Sequence, residues 1–172
     1  KDLSYSKSFK YTGHTDFFKH YFNTNPLMLM ISEELKIALL TDHIPIKDLS
    51  DALNKDLVKQ KIKLLETCLL NDFKIKKPKI AVLAINPHAG DNGLIGNEDQ
   101  SIITPAINSF KGTASSINGP FSADTFFVNE NYKKYDGVIA SYHDQGLIPF
   151  KTISFGKGVN FTAGLPVVRT SP

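Results

Sequence analysis

Cysteine is nearly missing from this chain: among 172 residues there is one, Cys68. A lone thiol forms no disulfide within the chain and excludes cysteine-rich zinc modules, so a reducing, cytoplasmic setting fits best. No stretch approaches the run of about 18 apolar residues that a membrane helix needs. The opening Lys1-Asp2-Leu3-Ser4 has no signal-peptide apolar segment either. A concentrated basic stripe is also absent, since the net charge is only +3 and the lysines from Lys47 to Lys79 are scattered rather than interleaved with aromatics. Neither nucleic acid nor membrane is therefore expected as a partner. No internal repeat or low-complexity tract occurs. The glycines of Gly90-Asp91-Asn92-Gly93-Leu94-Ile95-Gly96 fit neither G-x-G-x-x-G nor a loop ending in Gly-Lys-Ser/Thr, so this segment reads first as a flexible turn.

A hydrophobic content of 41% is enough to bury a core for one domain or two small lobes. Thr15 is a good helix N-cap, followed by Phe17, Phe18, Tyr21 and Phe22 on one face. Residues 27–31 and 35–40 are short apolar runs that read as buried strands. From Ile46 to Leu70 the pattern is helical with a break near Asn54. Val58, Ile62, Leu65 and Leu69 make its apolar face, and Cys68 joins them in a structural role. Residues 79–85 form the clearest strand, which Asn86-Pro87 ends. Thr104 as N-cap with Pro105 behind it predicts another helix, Asn118-Gly119-Pro120 a turn, and Ser122-Ala123-Asp124-Thr125 a short helix. Residues 137–141 predict a second buried strand. Strands alternating with helices argue for an α/β fold, a layered and largely parallel or mixed sheet with flanking helices.

Three histidines lie in segments suited to holding a ligand: Gly13-His14-Thr15-Asp16, Asn86-Pro87-His88-Ala89-Gly90 and Tyr142-His143-Asp144-Gln145-Gly146. They are too far apart for a local metal motif, so the argument rests on their flanks. His88 and His143 each follow a predicted strand, and ligands of open α/β sheets collect at the carboxyl ends of strands. Three imidazoles at one rim would leave a divalent metal partly open to a substrate oxygen. His20 and His43 keep the ordinary reading of surface or capping residues.

Asp124 and Asp144 are the acid/base candidates. Asp124 is equally explained as first-turn helix charge, and Asp144 as the group that orients His143. Lys151, Asn160 and Arg169 each follow an apolar stretch, and together they suggest an anionic substrate.

These segments, with Gly158-Val159-Asn160 and Gly164-Leu165-Pro166 through Arg169-Thr170-Ser171, resemble the 4-hydroxythreonine-4-phosphate dehydrogenase family from about Gly13 to the last residue. The resemblance implies a metal-dependent, NAD- or NADP-linked oxidation of 4-phosphooxy-L-threonine. Decarboxylation to 3-amino-2-oxopropyl phosphate follows, as a step of pyridoxal 5'-phosphate biosynthesis. It further implies an isocitrate/isopropylmalate dehydrogenase-like fold and homodimers whose active sites lie at the subunit boundary. By position, His14, His88 and His143 resemble the family's shared metal ligands, with zinc foremost and magnesium or cobalt as alternatives. Lys151, Asn160 and Arg169 resemble its substrate contacts, while no nicotinamide-binding residue is identified.

The departure is one of extent. The family carries a substantial segment before Gly13, with a His-Thr pair on the substrate, and an Asp-His-Gly stretch beyond Ser171. Position 1 is not Met, and the chain stops at Pro172 without a helical or charged tail. Residues 1–172 are thus expected to be a partial chain, incomplete at both ends, with most of one α/β domain and part of the interdomain or dimer region. Two rival expectations are a sister dehydrogenase for another phosphorylated hydroxy acid and a metal-binding, dimerising fragment without catalysis.

Overall fold

A strand that is apolar at consecutive residues needs cover on both faces, and the computed structural model provides it. The structure describes Tyr11, residues 14–128 and residues 130–171, with the backbone alone for residues 14–16. Helix α1 (His14–Tyr21) leads to strands β1 (Leu27–Ile31) and β2 (Lys36–Leu39). A 3₁₀ turn (Ile46–Asp48), α2 (Leu49–Ala52), α3 (Lys55–Asn71) and β3 (Lys79–Leu83) follow. After a 3₁₀ segment (Pro87–Gly93), a π turn (Asp99–Ile103) runs into α4 (Thr104–Asn108). Next come β4 (Ser116–Phe121), α5 (Ala123–Phe126), a 3₁₀ turn (Asn131–Lys134), β5 (Gly137–Ala140), α6 (His143–Ser154), β6 (Val159–Ala163) and β7 (Thr170–Ser171).

The strands form one mixed seven-stranded sheet in the order β4-β3-β5-β2-β1-β6-β7. β4, β3, β5 and β2 run parallel, whereas β1, β6 and β7 pair antiparallel. Successive residues point to opposite sides, so Ile80, Val82 and Ile139 join one apolar cluster with α3 and α4. Ala81, Leu83, Val138 and Ala140 join another with α5 and α6. These two layers explain why strands at the sheet centre are apolar without alternation.

The expected helical face of α3 is the buried one: Val58, Ile62, Leu65 and Leu69 are all fully buried. Asn54 marks the break because its side chain caps α3, accepting from the Leu57 N–H. Leu65 and Leu69 press on β5 so closely that a Cβ at Gly137 would stand 3.1 Å from Leu65 Cδ2 and 3.3 Å from Leu69 Cδ1. Leu65→Ala is accordingly expected to cost about 2–5 kcal/mol of stability, read as a lowered denaturation midpoint at unchanged m-value. Cys68 is buried in the same layer, which pushes its thiol up to about 12 and leaves it inert at neutral pH.

Three local expectations change. Asn118-Gly119-Pro120 is not a turn but the middle of β4, where the register against β3 shifts between Ala81 and Leu83. Gly119, at φ +136°, lies so close to β3 that a Cβ would meet the Val82 carbonyl oxygen at 2.3 Å, so strand pairing overrides the local turn signal. Thr104 is not an N-cap, because the helical run begins before it and Thr104 has helical φ/ψ itself. The glycine-rich segment is ordered, with a left-handed backbone from His88 to Asn92. Among the described residues no helix is long and apolar enough to cross a membrane.

Candidate functional site

Parallel pairing of β3, β5 and β2 brings their carboxyl ends to one edge of the sheet. Each strand is followed within five residues by a histidine: His88 after β3, His143 after β5 and His43 after β2. The ends are tied together beyond the ladder. Leu40 N–H donates to the Ala140 carbonyl at 2.9 Å, and Thr41 Oγ1 donates to the Ser141 carbonyl at 2.8 Å. Gln145 spans the next gap, its Oε1 accepting from Ser141 N–H at 2.7 Å and its Nε2 donating to the Ala84 carbonyl at 2.7 Å. The three strand ends are therefore joined to one another by hydrogen bonds.

His88 sits in an unusual turn. Residues His88, Ala89, Gly90, Asp91 and Asn92 all have positive φ, at 53°, 54°, 81°, 41° and 55°. For non-glycine residues this region costs roughly 1–2 kcal/mol each, so surrounding bonds must hold the turn. Asp99, fully buried, accepts from Ile85 N–H at 2.9 Å and Asn86 N–H at 3.0 Å, clamping the chain just before His88. His88 itself is exposed.

His143 begins α6. A Cβ on Gly146 would stand 2.7 Å from Leu39 Cδ2 and 3.1 Å from the Ala140 Cβ, so the first turn of α6 rests directly on β2 and β5. His143 Nδ1 lies 2.7 Å from Asp144 Oδ1, which orients the ring and leaves Nε2 directed elsewhere. The ring centroid of His43 is 5.4 Å from that of His143. Both line a cavity of about 260 Å³ with Asp42, Tyr142, Asp144 and Leu49. His14 opens α1, and its side chain lies outside the described residues. Among the described residues, no group of three His, Cys, Asp or Glu side chains is assembled to hold a metal ion within one chain.

Asp124 sits on α5, where the Ser122 hydroxyl at 2.6 Å, the Thr125 N–H at 2.9 Å and the nearby His88 hold its carboxyl below the usual range. It stays ionised at neutral pH, better suited to accepting a proton or pairing with a cation than to donating. Asp124 and Asp144 share the wall of a second, larger cavity of about 690 Å³, otherwise mostly apolar, between α5 and α6.

The expected anion contacts lie apart from the histidines within one chain. Lys151 is exposed on α6, eight residues after His143 and thus about 12 Å along the helix. Asn160 is on β6, three strand positions from β5, or about 14 Å. Its Oδ1 is buried with no hydrogen-bond partner among the described residues. Arg169, half-buried before β7, donates from Nη1 to Thr162 Oγ1 at 3.3 Å.

The family model described as pyridoxal phosphate biosynthetic protein PdxA matches residues 1–172, the whole chain. The chain belongs to that family. The 4-hydroxythreonine-4-phosphate dehydrogenase of Bacteroides thetaiotaomicron is 44% identical to it over 169 residues, covering 97% of this chain and 46% of that protein. A crystal structure of 4-hydroxythreonine-4-phosphate dehydrogenase from Klebsiella pneumoniae aligns with a TM-score of 0.85 at 39% identity, over 94% of this chain and 49% of that one. Another, of a terephthalate 1,2-cis-dihydrodioldehydrogenase from Burkholderia xenovorans, aligns with a TM-score of 0.81 at 28% identity, over 91% and 50% of the two chains. The chain thus spans about half the length of the curated relatives it matches. The layered α/β architecture expected from the sequence is that of the family's solved structures across this half.

Within this PdxA-family chain the sequence reading passed over His43, although Ile37-Ala38-Leu39-Leu40 followed by Thr41-Asp42-His43 is a third strand-then-histidine unit. Five histidines in 172 residues is an ordinary frequency, which made a surface or capping role sufficient for it. Gln145 and Glu98 were passed over for a different reason, since their partners are remote in sequence.

Proposed function

We propose that this chain is the metal-bearing portion of a 4-hydroxythreonine-4-phosphate dehydrogenase, which oxidises and decarboxylates 4-phosphooxy-L-threonine with NAD or NADP. The observation that carries the reading is the arrival of His88 and His143 at one sheet edge, after the neighbouring strands β3 and β5, in a chain matched end to end by the PdxA family. His14, His88 and His143 are the metal-binding set of this reading, and the side chain of His14 lies outside the described residues. The donors fit a divalent ion such as zinc: imidazole nitrogens, an exposed His88, a partly exposed His143, and an Asp144 that engages Nδ1 of His143 and frees Nε2. Among the described residues the set is not closed in one chain, and the family resemblance implies a homodimer in which ligands are shared across the boundary. When bound, the ion would supply Lewis acidity toward a substrate oxygen and the nicotinamide a hydride acceptor.

This chain's own residues bind and orient. The ionised Asp124 stands near His88 to take up a proton, and Asp144 fixes the His143 ring. Lys151 and Arg169 provide cations for phosphate or carboxylate, and the unpartnered Asn160 Oδ1 awaits a hydroxyl or amino donor. Their distance from the histidines suits the opposite end of a substrate or a site completed by a second subunit.

The test is NADH or NADPH formation by the full-length enzyme with zinc, from 4-phosphooxy-L-threonine and, in parallel, from a terephthalate cis-dihydrodiol. The likeness to the dihydrodiol dehydrogenase favours the second reading, a sister enzyme on the same scaffold. Turnover of the phosphorylated substrate alone is the expected result; turnover of the dihydrodiol alone overturns the assignment. Arg169→Ala should raise KM for the phosphorylated substrate by roughly 10- to 150-fold, the equivalent of about 1.5–3 kcal/mol for a charged hydrogen bond. An unchanged KM would remove Arg169 from the site.

A further inference from the structure

Helix α1, with His14 at its head, lies on the surface: none of its described side chains, from Phe17 to Tyr21, is buried, and the first buried residue after it is Pro26. Its end is closed by its own backbone. Phe22 N–H donates to the Phe18 carbonyl at 3.0 Å and Thr24 N–H to the Lys19 carbonyl at 3.1 Å, around Asn23 at φ +47°. Residues 22–24 are thereby tied to the helix, and the proline ring fixes φ at residue 26. The direction of α1 then follows from how Asn25 and Pro26 are held.

Two consecutive residues of α3 hold that joint. Gln60 Oε1 accepts from Asn25 Nδ2 at 2.8 Å, and Lys61 Nζ donates to the Pro26 carbonyl at 2.8 Å. A Cβ at Gly164, just after β6, would stand 3.0 Å from Leu64 Cδ2 and 3.9 Å from Pro26 Cα, so the end of β6 closes on α3 and on the joint.

Lys61 is the unexpected member of this pair, buried on a helix whose other buried residues are mostly apolar. Burial holds its ammonium below the usual lysine range, while Asp42 raises it in part and Lys19 of α1 lowers it further. A cation is costly to bury, and a methionine of similar length would fill the space without that cost. What methionine cannot supply is the donor to Pro26.

We propose that Lys61 is a positioning residue for α1: by pinning the Pro26 carbonyl, with Gln60 holding Asn25 beside it, it sets the angle at which α1 leaves the sheet. An eight-residue helix is a lever of about 12 Å, so a tilt of about 5° at the joint carries its head by about 1 Å. That this placement serves a metal rests on the reading of His14 as a ligand; the pin itself does not.

The experiment compares wild type, Lys61→Met, Gln60→Ala and Val58→Ala in the full-length enzyme. Backbone amide exchange is followed in the metal-free protein, zinc affinity is measured by chelator competition, and the visible spectrum of the cobalt-loaded protein is recorded. Lys61→Met should speed exchange in residues 17–25 by about tenfold or more and leave the α3 amides of residues 58–69 at wild-type rates. It should also shift the cobalt spectrum and weaken zinc binding by about 10- to 100-fold, as loss of a group supporting a ligand does. Gln60→Ala, at an exposed site where folding is not at risk, should act in the same direction to a smaller degree. Val58→Ala, which thins the α3 core away from the joint, should speed exchange in α3 and keep the cobalt spectrum of wild type. Unchanged exchange in residues 17–25 of Lys61→Met overturns the proposal, as does acceleration there no greater than in α3. If Lys61→Met does not fold, unchanged exchange at residues 17–25 in Gln60→Ala overturns it. If α1 loosens in Lys61→Met while zinc affinity and the cobalt spectrum stay at wild type, the reading of His14 as a ligand fails and the pin stands.

Discussion

Full-length enzyme carrying His143→Ala is expected to lose bound zinc and turnover together. His143 is held by three separate features: the first turn of α6 seated on Leu39 and Ala140, the 2.7 Å contact with Asp144, and a strand end tied to β2 by Thr41. Removing the imidazole takes away the ligand itself, so the loss should exceed the 10- to 100-fold that a supporting group is worth, on the order of 10² or more in affinity. Asp144→Asn, which preserves shape, should fall within that smaller range. His14→Ala should match His143→Ala, because both belong to the proposed ligand set. Metal content by elemental analysis, together with initial rates at saturating NAD, decides the matter. Should His14→Ala keep its zinc while His43→Ala loses it, the third imidazole comes from the end of β2 and the assignment to His14 is wrong.

The 172-residue chain, folded and supplied with zinc, should show no dehydrogenase activity. Among the described residues three ligands are not assembled in one chain, and Lys151 lies about 12 Å along α6 from His143. The relatives that share this chain's fold are about twice as long. Displacements as small as about 1 Å can cost roughly 10²-fold in rate, so a chain spanning about half the length of its relatives is expected to fall below detection. The assay is NADH formation from 4-phosphooxy-L-threonine by this chain beside the full-length enzyme. Comparable rates would mean that the segments the relatives carry in addition are dispensable, and the reading of this chain as part of a larger active site would be abandoned.

Much of the local structure is legible before any coordinates. The spacing of Val58, Ile62, Leu65 and Leu69 marks the buried face of α3, and Asn54 marks its start. The apolar runs at 27–31, 79–85 and 137–141 locate β1, β3 and β5, and their lack of alternation announces cover on both faces. Helical and strand periodicities are local properties, encoded by neighbours that stay neighbours in any fold. Asn118-Gly119-Pro120 shows where this stops, because local turn chemistry yields there to hydrogen bonding with β3 some 35 residues earlier.

By itself the sequence determined the fold class, the two-layered core, the strand-end placement of His88 and His143, and the family resemblance that the match over residues 1–172 bears out. Tertiary structure alone decided which strands lie side by side. It set β2 against β5, and so His43 against His143, although 100 residues separate them. It also joined Gln145 to Ala84 and Glu98 to Ser50. The physical reason is that a side chain's local pattern says which face it occupies, whereas lateral strand order is chosen by the global competition to bury both faces of the sheet and satisfy every strand edge. Contacts at the strand ends inherit that choice and leave no periodic trace in the chain.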